Sequence, residues 1–99
     1  MYRVYGGDAK PGGASWTPDT PSGNYRVTAG LPSGGQSGAN NSGRFVIEGT
    51  LQDPSAVVKA RRALPLDGNE GGAAEYIIPN PIESGAVRVD RVSGVNPEF

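Results

Sequence analysis

The sequence of 99 residues contains no histidine and no cysteine. Without an imidazole, the chain has no general base that titrates near neutral pH and no neutral nitrogen ligand for a metal, which excludes histidine-dependent nucleases and serine-histidine-aspartate hydrolases. Without a thiol, it has no cysteine nucleophile, zinc knuckle or disulfide. Any chemistry must therefore come from carboxylates, arginines, hydroxyls and aromatic rings, and we expect no bound metal.

Apolar residues are also scarce, and basic residues are not clustered. Hydrophobic residues make up 35% of the chain, against 16 glycines and 9 prolines, which predicts a single domain over residues 1–99 with a thin core. The net charge is −1 and the one adjacent basic pair is Arg61 and Arg62, so the electrostatic footprint of a duplex-binding protein is missing. No apolar run is long enough to span a bilayer. We therefore expect neither nucleic acid nor a membrane as a partner.

Short alternating or apolar runs, punctuated by glycine and proline, predict an α+β fold that is mainly β with little helix. The predicted strands are residues 2–5, 14–17, 44–51, 75–79 and 86–92. One short helix is predicted over residues 24–29, with Ser22 as its N-cap and Gly30 as its stop.

The remaining segments are predicted mainly as loops. Residues 33–43 contain only glycine, serine, asparagine, glutamine and alanine, which indicates an exposed loop. Residues 67–72 form a second glycine-rich loop just before the strand that starts at Glu75. Residues 55–64 fit either a strand around Val57 and Val58 or a single helical turn, and the pattern does not decide between them.

Three residues that carry chemistry lie beside predicted strands: Arg3, Ser15 and Glu75. A guanidinium suits the oxygens of a pyrophosphate, and a fixed carboxylate stabilises positive charge that develops on a ribose. Glu75 is the strongest candidate because it opens an apolar strand directly after a glycine loop. On the sequence alone, Arg3 also fits a solvated charge on a half-exposed strand, and Ser15 also fits a turn residue.

Several segments together carry a family resemblance that covers essentially the whole chain. They are Tyr2-Arg3-Val4, Gly13-Ala14-Ser15-Trp16-Thr17, Phe45-Val46-Ile47-Glu48-Gly49-Thr50, the run from Gly71 to Pro81, and the run from Gly94 to Phe99. The chain resembles the C-terminal toxin domains of Rhs-type bacterial polymorphic toxins, and in particular the compact ADP-ribosyltransferases that modify elongation factor Tu. The resemblance implies a compact ADP-ribosyltransferase fold, NAD as substrate, arrest of translation, a cognate immunity protein, and delivery into the cytoplasm of a target bacterium.

The resemblance also implies a role for each candidate residue. Arg3 would contact the NAD pyrophosphate or its neighbouring ribose. Ser15 would hydrogen-bond the nicotinamide ribose and help to aim the glutamate. Glu75 would accept a hydrogen bond from the ribose 2′-hydroxyl and stabilise the oxocarbenium-like transition state as nicotinamide leaves.

Aromatic residues are the expected supporting contacts to NAD. Trp16, the one tryptophan, is either a core anchor behind the site or a wall against nicotinamide. The tyrosines are expected to pack in the core or at its rim, and Tyr5 and Tyr25 are the two that we also consider for stacking on a base.

The acceptor side of the site is less well defined by the sequence. The glycine loop over residues 68–72 lies where the family carries its acceptor-recognition loop, and its glycines would allow it to close over substrate. Ala73 stands two residues before Glu75, where arginine-modifying members often have a second glutamate or a glutamine. Glu70 or Glu98 would then have to supply the missing carboxylate.

Two other functions fit the same residues. An NAD glycohydrolase would use Arg3, Ser15 and Glu75 with water as the acceptor, and Ala73 slightly favours this alternative. A non-enzymatic β-rich module would instead bind a protein partner through its glycine and proline loops, and Glu75 would have no special importance in it. The spacing of the glycines matches neither a nucleotide-binding P-loop nor a Rossmann turn.

Overall fold

The computed structural model describes residues 1–99, which form six strands, one α-helix and one 3-10 helix. In chain order these are β1 (Tyr2–Gly7), β2 (Ser15–Trp16), α1 (Tyr25–Thr28), β3 (Asn41–Leu51), the 3-10 helix (Pro54–Ala56), β4 (Lys59–Arg62), β5 (Ala74–Ile77) and β6 (Val87–Gly94). The prediction of a mainly β chain with little helix is confirmed.

The strands form two small antiparallel sheets. The first has the order β1-β3-β6 and the second has the order β2-β5-β4. Tyr2 and Thr17 connect them through two backbone hydrogen bonds of 2.8 and 2.9 Å between N and O. This connection brings the start of β1 next to the end of β2, and so it places the segments that contain Arg3 and Ser15 side by side.

The hydrophobic core lies between the two sheets. Its fully buried members come from or adjoin β2, β3, β5 and β6, and they are Trp16, Ile47, Ile78, Ala86 and Val87. Burial of a large aliphatic side chain stabilises a fold by about 1.5–3 kcal/mol. With 16 of 99 residues buried, the core is as thin as the composition predicts, so hydrogen bonds between loops must help to hold the site.

The helical segments differ from their predictions. The α-helix is a single turn at Tyr25–Thr28, and its N-cap is Asn24 without a side-chain capping bond, so the assignment of Ser22 as N-cap was wrong. In residues 55–64, the 3-10 helix ends at Ala56, and β4 begins only at Lys59. Neither Val57 nor Val58 is therefore in a strand. No helix of this chain is long and apolar enough to cross a bilayer.

The predicted loop over residues 33–43 is shorter and more ordered than expected. Its last three residues open β3, where buried Asn41 donates from Nδ2 to the Val4 carbonyl at 3.0 Å. Asp67 anchors the rest of the loop, since its carboxylate accepts hydrogen bonds from the backbone N–H groups of Ser33 and Ser37, both at 2.8 Å. These bonds hold the pKa of Asp67 down at about 2, with the Ser37 hydroxyl making the largest contribution.

Candidate functional site

The sequence-predicted pair Ser15 and Glu75 is brought into direct contact by the second sheet. In the register of β2 against β5, Ser15 lies opposite Ile77, so Glu75 is its diagonal neighbour two residues along. Ser15 Oγ donates a hydrogen bond to Glu75 Oε2 at 2.5 Å. The side chain of Glu75 is 15% exposed, whereas Ser15 is exposed. This bond directs Oε2 of Glu75 toward β2.

Arg61 holds the other oxygen of the same carboxylate. It lies directly opposite Glu75 in the pairing of β4 with β5, and its Nε donates to Glu75 Oε1 at 2.8 Å. Both side chains are largely shielded, at 32% and 15% exposed, so this ion pair is stronger than one in open solvent. Arg61 is not among the site residues predicted from the sequence, because only the register of β4 reveals its partner.

Arg3 is buried, and the interpretation of it as a solvated charge was wrong. Only 8% of the residue is exposed. Its Nε and Nη2 donate to the carbonyl of Lys10 at 2.9 and 2.6 Å, and its Nη1 donates to the carbonyl of Ser15 at 3.0 Å. Burial lowers the pKa of the guanidinium from its ordinary value. Arg3 therefore ties the loop after β1 to the start of β2 and fixes the backbone at Ser15.

Gly13 makes room for the Arg3 guanidinium. A Cβ atom built at Gly13 would lie 2.1 Å from Nη2 and 2.5 Å from Cζ of Arg3. Gly13 also accepts a hydrogen bond from Trp16 Nε1 through its carbonyl, at 3.0 Å. A glycine is therefore needed at position 13, because any side chain there would collide with the Arg3 guanidinium.

A cavity of about 400 Å³ opens beside these residues, which is within the range typical of small-molecule sites. Its polar lining consists of Arg3, Ser15, Tyr25, Asn41, Arg61 and Glu75. Its apolar lining comes mainly from two segments, residues 29–32 and 63–66. The cavity combines a fixed carboxylate with an apolar surface, and a ligand with a planar ring next to a polar sugar would match both.

Tyr25 lies in the wall of this cavity as a neutral phenol. Burial, together with the nearby negative charge of Glu75, raises its pKa to about 12. Its ring also packs edge-on against Phe99, with the ring centroids 5.8 Å apart. At neutral pH the phenol keeps its proton and has a side-chain hydrogen bond with Thr17, and its contact with NAD stays a prediction.

Trp16 and Tyr5 do not line the cavity. Trp16 is 1% exposed at the centre of the core, so of its two predicted roles it fills that of core anchor, and the predicted contact with NAD has no support. Tyr5 packs against the same core and stacks on Phe45, with centroids 5.3 Å apart. Tyr5 lies outside the cavity lining, and its contact with NAD stays a prediction.

The cavity lining contains no carboxylate besides Glu75. Ala73 lines the cavity, but Glu70 is exposed and outside the lining, and Glu98 pairs with Arg44 at 3.5 Å on another surface. Neither Glu70 nor Glu98 therefore lies beside Glu75 as the predicted second carboxylate. No group of acidic side chains in the chain is placed to hold a metal ion.

The glycine loop before Glu75 is fastened to its surroundings. Gly71 and Ala73 donate backbone hydrogen bonds to the carbonyls of Val27 and Thr28 in α1, at 2.8 and 2.9 Å. A Cβ atom at Gly71 would lie 2.3 Å from the Ala63 carbonyl oxygen, so this glycine allows two backbones to pack closely. These bonds hold the loop in place next to Glu75. The predicted closure of the loop over a ligand would first have to break them.

The structure thus brings four predicted residues together at one cavity, namely Arg3, Ser15, Tyr25 and Glu75, and it adds Arg61. The arrangement can bind a sugar hydroxyl and stabilise a cation that forms next to Glu75. Comparison of the chain with protein-family models, with curated proteins and with solved structures finds no match.

Proposed function

We propose that this protein is an NAD-dependent mono-ADP-ribosyltransferase with a compact ADP-ribosyltransferase fold. The observation that carries the proposal is the hydrogen bond between Ser15 Oγ and Glu75 Oε2 at a cavity that Arg3 and Tyr25 also line. A carboxylate whose two oxygens are both held by neighbours is preorganised, so little of its orientation must change as charge develops.

The reaction follows from the chemistry of the nicotinamide ribose. The bond between ribose C1′ and the nicotinamide nitrogen breaks, nicotinamide leaves with the bonding electrons, and the ribose acquires oxocarbenium character. Glu75 stabilises that positive charge and accepts a hydrogen bond from the ribose 2′-hydroxyl. A nucleophile of the acceptor then bonds to C1′ and gives up its proton. Ser15 and Arg61 maintain the direction of the carboxylate during these steps.

The cavity lining is consistent with the nicotinamide half of NAD. The apolar segments over residues 29–32 and 63–66 would pack against the ring, and the polar residues around Glu75 would bind the ribose. Once the ring is bound, the glycosidic bond lies beside the carboxylate. Exclusion of water by the apolar segments would strengthen the electrostatic effect of Glu75.

The proposed acceptor is a bacterial protein, and the resemblance points to elongation factor Tu. Its modification would stop translation in a target bacterium, and a producing cell would need a cognate immunity protein. The proposed acceptor residue is an arginine, by family analogy. The domain would act in the cytoplasm of the target cell after delivery by a larger secreted effector.

The transfer is tested with NAD that carries a label on its adenylate half, incubated with purified protein and a bacterial lysate. We expect one dominant labelled protein, identified by mass spectrometry as elongation factor Tu with ADP-ribose on one residue. Label on another protein would remove this target and leave transferase activity in place. Absence of both labelled protein and free nicotinamide would contradict the proposal.

An NAD glycohydrolase is the second candidate, and the missing acceptor carboxylate favours it. Ala73 lines the cavity, and both Glu70 and Glu98 lie elsewhere, so no acidic side chain beside Glu75 orients an acceptor guanidinium. Water would then attack C1′, and the products would be free nicotinamide and ADP-ribose. The same labelled incubation separates the two functions, because a glycohydrolase releases nicotinamide but labels no protein.

A further inference from the structure

Arg61 presents hydrogen-bond donors to the cavity that nothing in the chain uses. Its Nε is bonded to Glu75, but its Nη1 and Nη2 make no hydrogen bond to any other residue. A guanidinium carries five N–H donors, so four donors of Arg61 remain for a ligand. The side chain lines the cavity and is 32% exposed, which makes these donors accessible.

Arg3, by contrast, is largely committed to the backbone. Both of its terminal nitrogens and its Nε donate to the carbonyls of Lys10 or Ser15. A ligand phosphate that drew the Arg3 guanidinium away would leave buried carbonyl oxygens without donors, which is unfavourable. Three of the five Arg3 donors are used and the residue is 8% exposed, whereas Arg61 has four unused donors and is more exposed, so Arg61 is the better placed of the two to bind an anion.

The charge of the cavity leads to the same assignment. Its charged lining residues are Arg3, Arg61 and Glu75, which leave a net charge of +1. Removal of the Arg61 charge would make the cavity neutral, and the remaining cation would be the buried one. Attraction of an anionic ligand consequently depends on Arg61.

We propose that Arg61 is the residue that binds the diphosphate of the dinucleotide, and that Arg3 is a positioning residue that fixes Ser15. The identification of the ligand as a dinucleotide rests on the proposed function, whereas the anion site itself does not. Arg61 then has two roles at once, because Nε orients Glu75 and the Nη edge receives phosphate oxygens in fork geometry.

The test measures ligand binding by R61Q, by R61K and by the matched control R62Q. Arg62 is the next residue of β4, is exposed, and lies outside the cavity lining. The ligands are carba-NAD, which cannot lose nicotinamide by the proposed route, and nicotinamide riboside, which has no phosphate. Thermal unfolding of each variant establishes that it is folded before its affinity is compared.

We expect R62Q to bind carba-NAD as the wild-type chain does, and R61Q to bind it about 10- to 100-fold more weakly, the range for loss of a charged hydrogen bond. R61K should fall between them, because it keeps the charge but loses the fork. Nicotinamide riboside should bind equally to wild type and R62Q, and R61Q should weaken it less than carba-NAD, because its binding depends on Arg61 only through the orientation of Glu75. Unchanged binding of carba-NAD by R61Q would overturn the inference, and so would an equal loss for both ligands, which would show that Arg61 acts only through Glu75 or the fold.

Failure of the proposed function would give a different result. If the wild-type chain does not bind carba-NAD, the dinucleotide is not its ligand, and inorganic pyrophosphate then tests the anion site alone. Backbone amide NMR shifts around Arg61 on addition of pyrophosphate, absent in R61Q and present in R62Q, would support the site. No such shift in the wild-type chain would overturn it.

Discussion

Gly13 is the residue at which a single methyl group should damage the site most directly. Substitution by alanine puts a carbon 2.1 Å from Arg3 Nη2, far inside van der Waals contact, so the guanidinium must move. Movement breaks or lengthens its bonds to the carbonyls of Lys10 and Ser15. Gly12 is an ideal control, because a Cβ there meets nothing within 4 Å and neither glycine has a positive φ.

The magnitude of the effect combines two terms. Forcing an extra carbon into a packed region costs about 1–3 kcal/mol. Weakening the hydrogen bonds of a buried guanidinium adds about 1–3 kcal/mol. Because rearrangement relieves part of the strain, we expect Gly13→Ala to lower the free energy of unfolding by about 2–4 kcal/mol, or Tm by about 8–30 °C for a domain of this size. Gly12→Ala should be neutral or slightly stabilising, by up to about 1 kcal/mol.

The assay is denaturant unfolding followed by fluorescence of Trp16, which is the one tryptophan and is 1% exposed. The rate of nicotinamide release, measured below the unfolding transition, should also fall in Gly13→Ala, since the backbone at Ser15 loses its anchor. Unfolding of Gly13→Ala and Gly12→Ala at the same denaturant concentration would contradict this prediction, because displacement of Arg3 would then not lower the stability of the fold.

Three further substitutions, and a control for the third, test other parts of the structure. The neutral Tyr25 phenol contributes its full share of stability below pH 10, and this share is lost as the pH rises through 12. The free energy of unfolding of wild type, relative to that of Tyr25→Phe, should therefore fall between pH 10 and pH 12. The stabilisation by ionised Asp67 should be complete above pH 4 and lost as pH falls through about 2, so Asp67→Asn should be less stable than wild type at pH 7 and equal to it only in strong acid. Arg26 donates to the carbonyls of Asn41 and Phe99 at 2.6 and 2.7 Å, so Arg26→Ala should lower the free energy of unfolding by about 2–3 kcal/mol. Arg44→Ala removes only an exposed pair and should cost less than about 1 kcal/mol in the same denaturation.

Much of the site could be predicted because its residues lie next to local sequence signals. Glu75 follows a glycine loop and opens an apolar strand, and Ser15 precedes the one tryptophan in a short extended segment. Both signals concern single segments of chain. The predicted positions of most strands and of the short helix were therefore correct to within a few residues.

The parts that could not be predicted depend on pairing between distant segments. β4 has the sequence Lys-Ala-Arg-Arg, which lacks apolar alternation, and it is a strand only because β5 offers it a partner. The role of Arg61 follows from that register alone. For Arg3 the sequence offered two interpretations, a ligand of the pyrophosphate and a solvated surface charge. Neither includes its bonds to the carbonyls of Lys10 and Ser15, which depend on the distant space at Gly13.

The most direct test of the central claim is the initial rate of nicotinamide release from NAD by wild type, Glu75→Gln and Glu83→Gln. Glu83 is an exposed carboxylate outside the cavity and serves as the matched control. We expect wild type and Glu83→Gln to release nicotinamide equally. Glu75→Gln should be slower by about a hundredfold or more, because the charge that faces the ribosyl cation is lost. Equal rates for all three proteins, with Glu75→Gln still folded, would contradict the claim that Glu75 stabilises this reaction.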